Sequence, residues 1–282
     1  MRDFLFTTPP FARLTDFAGL WAMEPTAMGL LLESIRRMDL SAHVREGMMR
    51  PTPVASTMEL IPTKGDKRVA LVKATGKLMK PQSSMGGTST IQLRRDIRQA
   101  ANDPSVSGIL LAIESPGGAI AGTAELANDV KAARRKKPVW AHVDDMAASA
   151  AYWVASQAGA IYANHATALV GNVGTVYTVM DTSKAAEKEG VQVRVFSTGP
   201  LKAAGYAGTT LTDDQARMFQ ALADENQTHF DAAVRAGRSL TAKEMEAVRT
   251  GEIFSATRAK ELRLIDGIRP LEATLSALAD AH

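Results

Sequence analysis

The 282-residue chain contains no cysteine. That absence removes disulfide frameworks, thiolate nucleophiles and cysteine-based metal sites together, and it suits a reducing compartment. Aromatic residues make up only 5%, while alanine-rich stretches abound. Small-residue helix packing is therefore expected rather than an aromatic-lined pocket. Long apolar runs are missing as well: near the start the longest covers residues 17–23, counting Gly19, far short of the ~20 residues a membrane span requires. No basic region leads into an apolar core and a small-residue cleavage site at the N-terminus, so no secretory signal is expected. Concentrated positive charge is absent too. The formal net charge is +3. The one basic run, Arg134-Arg135-Lys136-Lys137, closes a predicted helix, where cations suit the negative end of the dipole. Neither a nucleic-acid nor a membrane partner is expected, and the chain reads as soluble and cytoplasmic.

What is present is a globular composition, with 45% apolar residues, enough for a real core. Residues 1–60 read as an N-terminal arm that packs on a neighbour or a partner. They begin irregularly around Pro9 and Pro10. A helix follows Pro25 with Ala27, Leu30, Leu31, Ile35 and Met38 on one stripe, and a proline-containing stretch then runs from 48 to 62. Residues 61–282 form the second unit. From Arg68 onward, strand and helix patterns alternate. Strands are expected at 69–74, 108–113, 138–143, 160–163, 175–180 and 191–196. The run at 108–113 is continuously apolar, the signature of a strand buried on both faces. Ser89-x-x-Gln92 opens a helix, with Ile91, Leu93, Ile97, Ala100 and Ala101 as its apolar positions, and Asp103-Pro104 stops it. Further helices are expected from just after Gly118 to about Arg135, from about Ser149, and over 182–189. A helical tail carries two more capping boxes, Thr212-x-x-Gln215 and Thr241-x-x-Glu244. This order implies right-handed crossovers and a largely parallel sheet covered by helices, an α/β fold.

Two strand-to-helix corners stand out, because reactive groups in such sheets collect beyond the C-terminal ends of the strands. The first is Ile113-Glu-Ser-Pro-Gly-Gly118. Its paired glycines, Gly117 and Gly118, allow a sharp turn and a close approach to another molecule, and their amides are suited to an oxyanion. Ser-Pro-Gly is also ordinary turn chemistry, so alone this corner is a weak signal. The second is Asp144-Asp-Met-Ala-Ala-Ser149-Ala-Ala-Tyr-Trp153, a serine among alanines at the mouth of a helix. Taken alone it favours a helix cap. A serine nucleophile needs a base. Of the five histidines, His142 falls inside a predicted strand as a core residue, and only His165 stands as a rival base, with an acid such as Asp181. Lysine serves if burial lowers its pKa. Lys202 follows the 191–196 strand, with no acidic residue between Glu189 and Asp213; any single lysine, taken alone, is more often a solvated surface residue.

Together these corners resemble the signal peptide peptidase A family, and more closely its phage branch of minor capsid protein C-like prohead proteases. The similarity covers roughly residues 68–268, and its motif order makes it specific. Ser-Pro-Gly-Gly at 115–118 resembles the oxyanion-side turn. Ala-Ala-Ser-Ala-Ala-Tyr-Trp at 147–153 matches the nucleophile motif with Ser149 in place, and Gly171-Asn-Val-Gly174 matches a Gly-Ser-Ile-Gly segment. Lys202, 53 positions after Ser149 (202 − 149), falls where the family carries its general-base lysine. The closing stretch from Gly251 to Gly267 also corresponds.

The resemblance implies a ClpP/crotonase-like spiral of βαβ units with a helical C-terminal region, no cofactor, and a serine endopeptidase. Lys202 would take the Ser149 proton, and the Gly118 and Ala150 amides would hold the oxyanion, with Gly117 shaping the turn. The small side chains of Ala147, Ala148 and Ala150 suggest a narrow site that prefers small apolar residues before the cut. The implied substrate is scaffold or capsid precursor protein, in the host cytoplasm or inside the prohead. The implied assembly is a homo-oligomer whose neighbours complete the sites.

Departures from the family pattern define the alternatives. Asn172 stands where a serine usually hydrogen-bonds the lysine, Ala150-Ala151 replaces the commoner Gly-Gly, and Arg263 replaces a glycine. The bacterial membrane anchor has no counterpart, and a scaffold segment would have to be a separate chain. A catalytically silent capsid-assembly or scaffolding protein, and a crotonase-type acyl-CoA enzyme, are the alternative readings.

Overall fold

A computed structural model describes residues 19–39, 42, 56–63, 66–81 and 86–281. The elements run in the order β1 (Gly19–Met23), α1 (Pro25–Arg37), β2 (Met58–Pro62), β3 (Arg68–Thr75), β4 (Leu78–Met79), β5 (Thr88–Ser89), α2 (Thr90–Asn102), β6 (Val106–Ser115), β7 (Gly117–Ala119) and α3 (Thr123–Arg134). Then come β8 (Val139–Ala148), α4 (Ala150–Ala155), β9 (Ala160–Ala163), β10 (Leu169–Gly171), β11 (Val176–Thr178), α5 (Ser183–Lys188), α6 (Asp213–Arg238), α7 (Ala242–Glu246), β12 (Ile253–Ser255), α8 (Ala256–Glu261), β13 (Gly267–Ile268) and α9 (Leu271–Ala279).

The main sheet has the order β12-β10-β8-β6-β3-β2, with β9 also paired to β8. Its centre, β3-β6-β8-β9 together with β8-β10, is parallel, and β2 and β12 close it as antiparallel edges. The apolar run in β6 is buried along nearly its whole length, as strands covered on both faces are. Helices α2, α3 and α4 bury Leu93, Ile97, Leu126, Val130, Tyr152 and Val154 in one core with β6 and β8. The other face receives α9, whose Leu278 packs against Val69, Leu71 and Leu110. The α/β architecture with parallel central strands and a helical C-terminal region is therefore as the sequence implies.

A second sheet, β11-β1-β7-β4-β5, lies beyond the C-terminal ends of β3 and β6. β11 falls inside the strand expected at 175–180, whereas sequence patterning misses β4, β5 and β7, which are two or three residues long. Part of the arm belongs to these sheets: β1 pairs with both β7 and β11, and β2 pairs with β3. The boundary drawn at residue 60 falls inside β2. Pro9, Pro10 and residues 48–55 of the expected arm lie outside the described residues.

Four local expectations are corrected. Residues 191–196 form no strand; they have no ladder partner among the described residues, and Phe196 is 93% exposed. In α1 the buried positions are Met28, Leu31 and Ile35, whereas Leu30 faces outward. Ile91 is likewise exposed on α2. The boxes at Thr212–Gln215 and Thr241–Glu244 form in both directions, whereas Ser89 only accepts from the Gln92 amide and the Gln92 side chain turns to Asp96.

Candidate active site

Strand β8 runs straight into Ser149, which stands between it and α4 with φ 55° and ψ −120°. A non-glycine residue pays about 1–3 kcal/mol to hold such a backbone. The surroundings hold it there: the Ser149 amide donates to the Gly171 carbonyl at 2.8 Å, and its own carbonyl accepts from Trp153 N at 2.9 Å. A sharp strand-to-helix turn of this kind throws the side chain out of the ladder. The Ser149 hydroxyl donates to the Gly174 carbonyl at 3.4 Å. Both ends of the Gly171-Asn-Val-Gly174 segment thus meet Ser149, although no local pattern in either segment announces the contact.

The first corner lies against the second. Ser115 Oγ donates to the Gly76 carbonyl at 2.6 Å and accepts the Gly117 amide at 3.2 Å. Gly117 therefore spends its amide on the turn and has φ 99°. A Cβ placed on Gly117 would stand 2.3 Å from the Ala22 carbonyl oxygen and 3.0 Å from Ala150 N, so no side chain fits. Gly118 is closer still to its neighbour, with 1.9 Å from an added Cβ to the Leu78 carbonyl oxygen. The corner is braced by Glu114, whose carboxylate accepts the Asp145 and Met146 amides at 2.6 and 3.1 Å. Gly117, Gly118, Ser149 and Ala150 are all buried together.

Asn172 is 6% exposed and left-handed at φ 52°, a conformation asparagine tolerates. Its Nδ2 donates to the Gly251 carbonyl at 2.5 Å and its amide to the Glu252 carbonyl at 2.7 Å. Lys202 is exposed, whereas Ser149 is buried. The lysine lies in a turn region, and no hydrogen bond joins the two side chains. Nearby, Phe196, Tyr206 and Val191 are exposed apolar side chains. Burial does lower the ammonium pKa of another lysine, Lys77, beside the first corner; sequence reasoning passes over it because it sits in a turn.

His165 is not hydrogen-bonded to Ser149. His165 Nε2 pairs with Asp145 at 2.6 Å and Nδ1 with Thr167 at 2.8 Å. Asp181 instead accepts from Ser183 N and Leu211 N, at 2.9 and 3.0 Å. His142 is buried against Thr274 at 3.2 Å, a core residue as expected.

With this geometry in view, the likeness to known proteins is consistent. The "Capsid assembly protease C" of Escherichia phage lambda is 30% identical over 232 residues, covering 82% of this chain and 51% of that protein. The "Head-tail preconnector protein GP5" of Enterobacteria phage P21 is 29% identical over 74% of this chain and 40% of its own length. "Protease 4" of Salmonella typhi is 26% identical over 75% of this chain and 34% of its own length. The chain thus spans about half or less of these relatives. A solved enoyl-CoA hydratase/isomerase family member aligns over 82% of this chain and 78% of its own, with TM-score 0.47 and 15% identity. The model of Peptidase family S49 matches residues 131–282, which include Ser149, Asn172 and Lys202. By that match over more than half of its length, this chain belongs to peptidase family S49.

Proposed function

We propose that the chain is a serine endopeptidase in which Ser149 is the nucleophile and Lys202 the general base. The observation that carries the reading is the Ser149 corner: a serine held at positive φ beyond a parallel strand, packed against the Gly117–Gly118 turn and the first amide of α4. Ser149 Oγ attacks a peptide carbonyl and gives its proton to Lys202, and the Gly118 and Ala150 amides receive the oxyanion. The C–N bond breaks as Lys202 passes the proton to the leaving amine, and water hydrolyses the ester. Losing one such donor typically costs about 10²–10³ in turnover. Asn172, with Nδ2 committed to Gly251, offers Oδ1 as an acceptor for the lysine.

Lys202 reaches its site through assembly. A homo-oligomer in which the exposed Phe196 and Tyr206 are covered by a neighbour would carry the 197–206 turn inward. The substrates on this reading are scaffold or capsid precursors, as the names of the two phage relatives suggest. The exposed Lys202 also favours a second reading, a silent assembly protein of the same fold. One experiment separates them. Wild type, Ser149→Ala and Lys202→Ala are each expressed beside the capsid and scaffold precursors of the same phage. Processing by wild type alone, with at least about 10³-fold loss in each variant, is expected for a dyad. Equal processing in all three, or none in any, sinks it.

A further inference from the structure

Strands β7 and β11 do not pair with each other; β1 fills the one-strand gap between them and is antiparallel to both. Its register against β7 is Trp21 to Ala119, Ala22 to Gly118 and Met23 to Gly117. The bonds at either end, Glu24 N to the Pro116 carbonyl at 2.8 Å and Ile120 N to the Leu20 carbonyl at 3.3 Å, fix the phase of the ladder. In an antiparallel pair, bonded and non-bonded residue pairs alternate. Ala22 and Gly118 are then the pair that exchange both amide bonds, so the Ala22 carbonyl faces the Gly118 amide. The same carbonyl oxygen and Ala150 N both lie within 3.0 Å of one point beside Gly117. Ser149 itself is 0% exposed.

We infer that β1 is a built-in substrate mimic that occupies the peptide groove, with Ala22 in the position of the residue before the cut. This rests on the reading of Ser149 as nucleophile. An extended peptide that adds a strand gains affinity from its main chain and specificity from alternate side chains. Here the Ala22 side chain is fully buried in the main core, so the position accepts alanine-sized residues and excludes larger ones. Trp21 and Met23 point the other way and join Met28, Leu31 and Ile35 of α1.

The geometry also explains why such an occupant persists. Attack of Ser149 Oγ on the Ala22 carbonyl would expel the Met23 amine, which takes up the serine proton. That amine stays anchored by Glu24 on Pro116, by the Glu24 carboxylate capping α1 and by the α1 cluster. It remains beside the ester and re-forms the bond faster than water can intervene. Substrates enter when β1 leaves.

The test is the rate at which a fluorophosphonate labels Ser149 in the purified full chain. Two variants displace β1: Ala22→Phe overfills the buried position, and Ala22→Pro removes the central ladder donor with little change in size. An unchanged melting transition in at least one shows that the fold survives. Since apparent reactivity scales with the open fraction, labelling is expected to rise about tenfold or more. In the displaced variant, a Gly-Leu-Trp-Ala aldehyde should protect Ser149 and a Gly-Leu-Trp-Phe aldehyde should not. Labelling at the wild-type rate in a folded variant, or equal protection by both aldehydes, overturns the inference while leaving Ser149 a nucleophile. No labelling of any form ends the peptidase reading and this inference together.

Discussion

Ser149 and Gly171 are joined by a 2.8 Å bond from the serine amide to the glycine carbonyl, which ties the end of β8 to the end of β10 while Ser149 holds φ 55°. The side chain at 149 is thus kept on a backbone that glycine adopts more readily. Replacing Ser149 with glycine should relieve the strain and stabilise the fold by about 1 kcal/mol, less glycine's own entropy cost, whereas Ser149→Ala should not. Thermal melts of the two variants check this. A Ser149→Gly protein melting at or below Ser149→Ala would show that the turn stores no strain.

Gly118 has a different requirement, since its φ is not positive and space alone decides. A Cβ there would lie 1.9 Å from the Leu78 carbonyl oxygen and 2.6 Å from Leu78 N, and backbone cannot swing aside as a side chain can. Gly118→Ala should separate β4 from β7 and cost about 3 kcal/mol, the upper end of ordinary overpacking. Urea unfolding measures it, and a loss below about 1 kcal/mol would mean that β4 moves freely.

The parts of this architecture legible in the sequence are those with a local cause. The continuous apolar run of β6, the Thr212 and Thr241 caps and the glycine pair at 117–118 each carry their own signal. Arg263, which the resemblance sets at a glycine position, has φ 63°, and its carbonyl and guanidinium are engaged by Arg238 and Glu244. The backbone there is the left-handed one that glycine adopts most readily. Contacts between distant segments were not legible. Val191 and Phe196 read as strand because of their residue types, but a strand exists only with a partner, and none is supplied among the described residues. The five residues of β1 read as an irregular arm because their pairing is decided by β7 and β11, far along the chain.

The elbow helix α4 is only six residues long and takes its rigidity from its neighbours. Trp153 stacks on Phe230 of α6 with ring centroids 4.7 Å apart and planes 11° from parallel. Tyr152 donates its hydroxyl to the Leu264 carbonyl at 2.8 Å. Phe230→Ala should therefore cost about 3–5 kcal/mol, as a fully buried ring deleted from a packed core does. Tyr152→Phe should cost only about 1–3 kcal/mol, for the carbonyl left unpaired. Chemical denaturation of the two variants compares them, and a Phe230→Ala loss no larger than that of Tyr152→Phe would show that α6 does not support the elbow.

His142 makes stability depend on pH in a definite direction. It is buried in β8 with Nδ1 near Thr274 Oγ1, and burial lowers its pKa, against the opposing pull of Asp144. The folded state therefore resists protonation that the unfolded chain accepts near its ordinary value of about 6.5. Where the unfolded state binds more protons, stability rises with pH. The stability associated with neutral His142 is accordingly present above about pH 6.5 and is lost as pH falls from there toward the lowered folded value. Melting temperatures taken between pH 7.5 and 5.5 should fall in the wild type and fall less in His142→Gln, which keeps a polar partner for Thr274 but cannot titrate. Parallel slopes in the two proteins would place the acid sensitivity elsewhere, among the carboxylates.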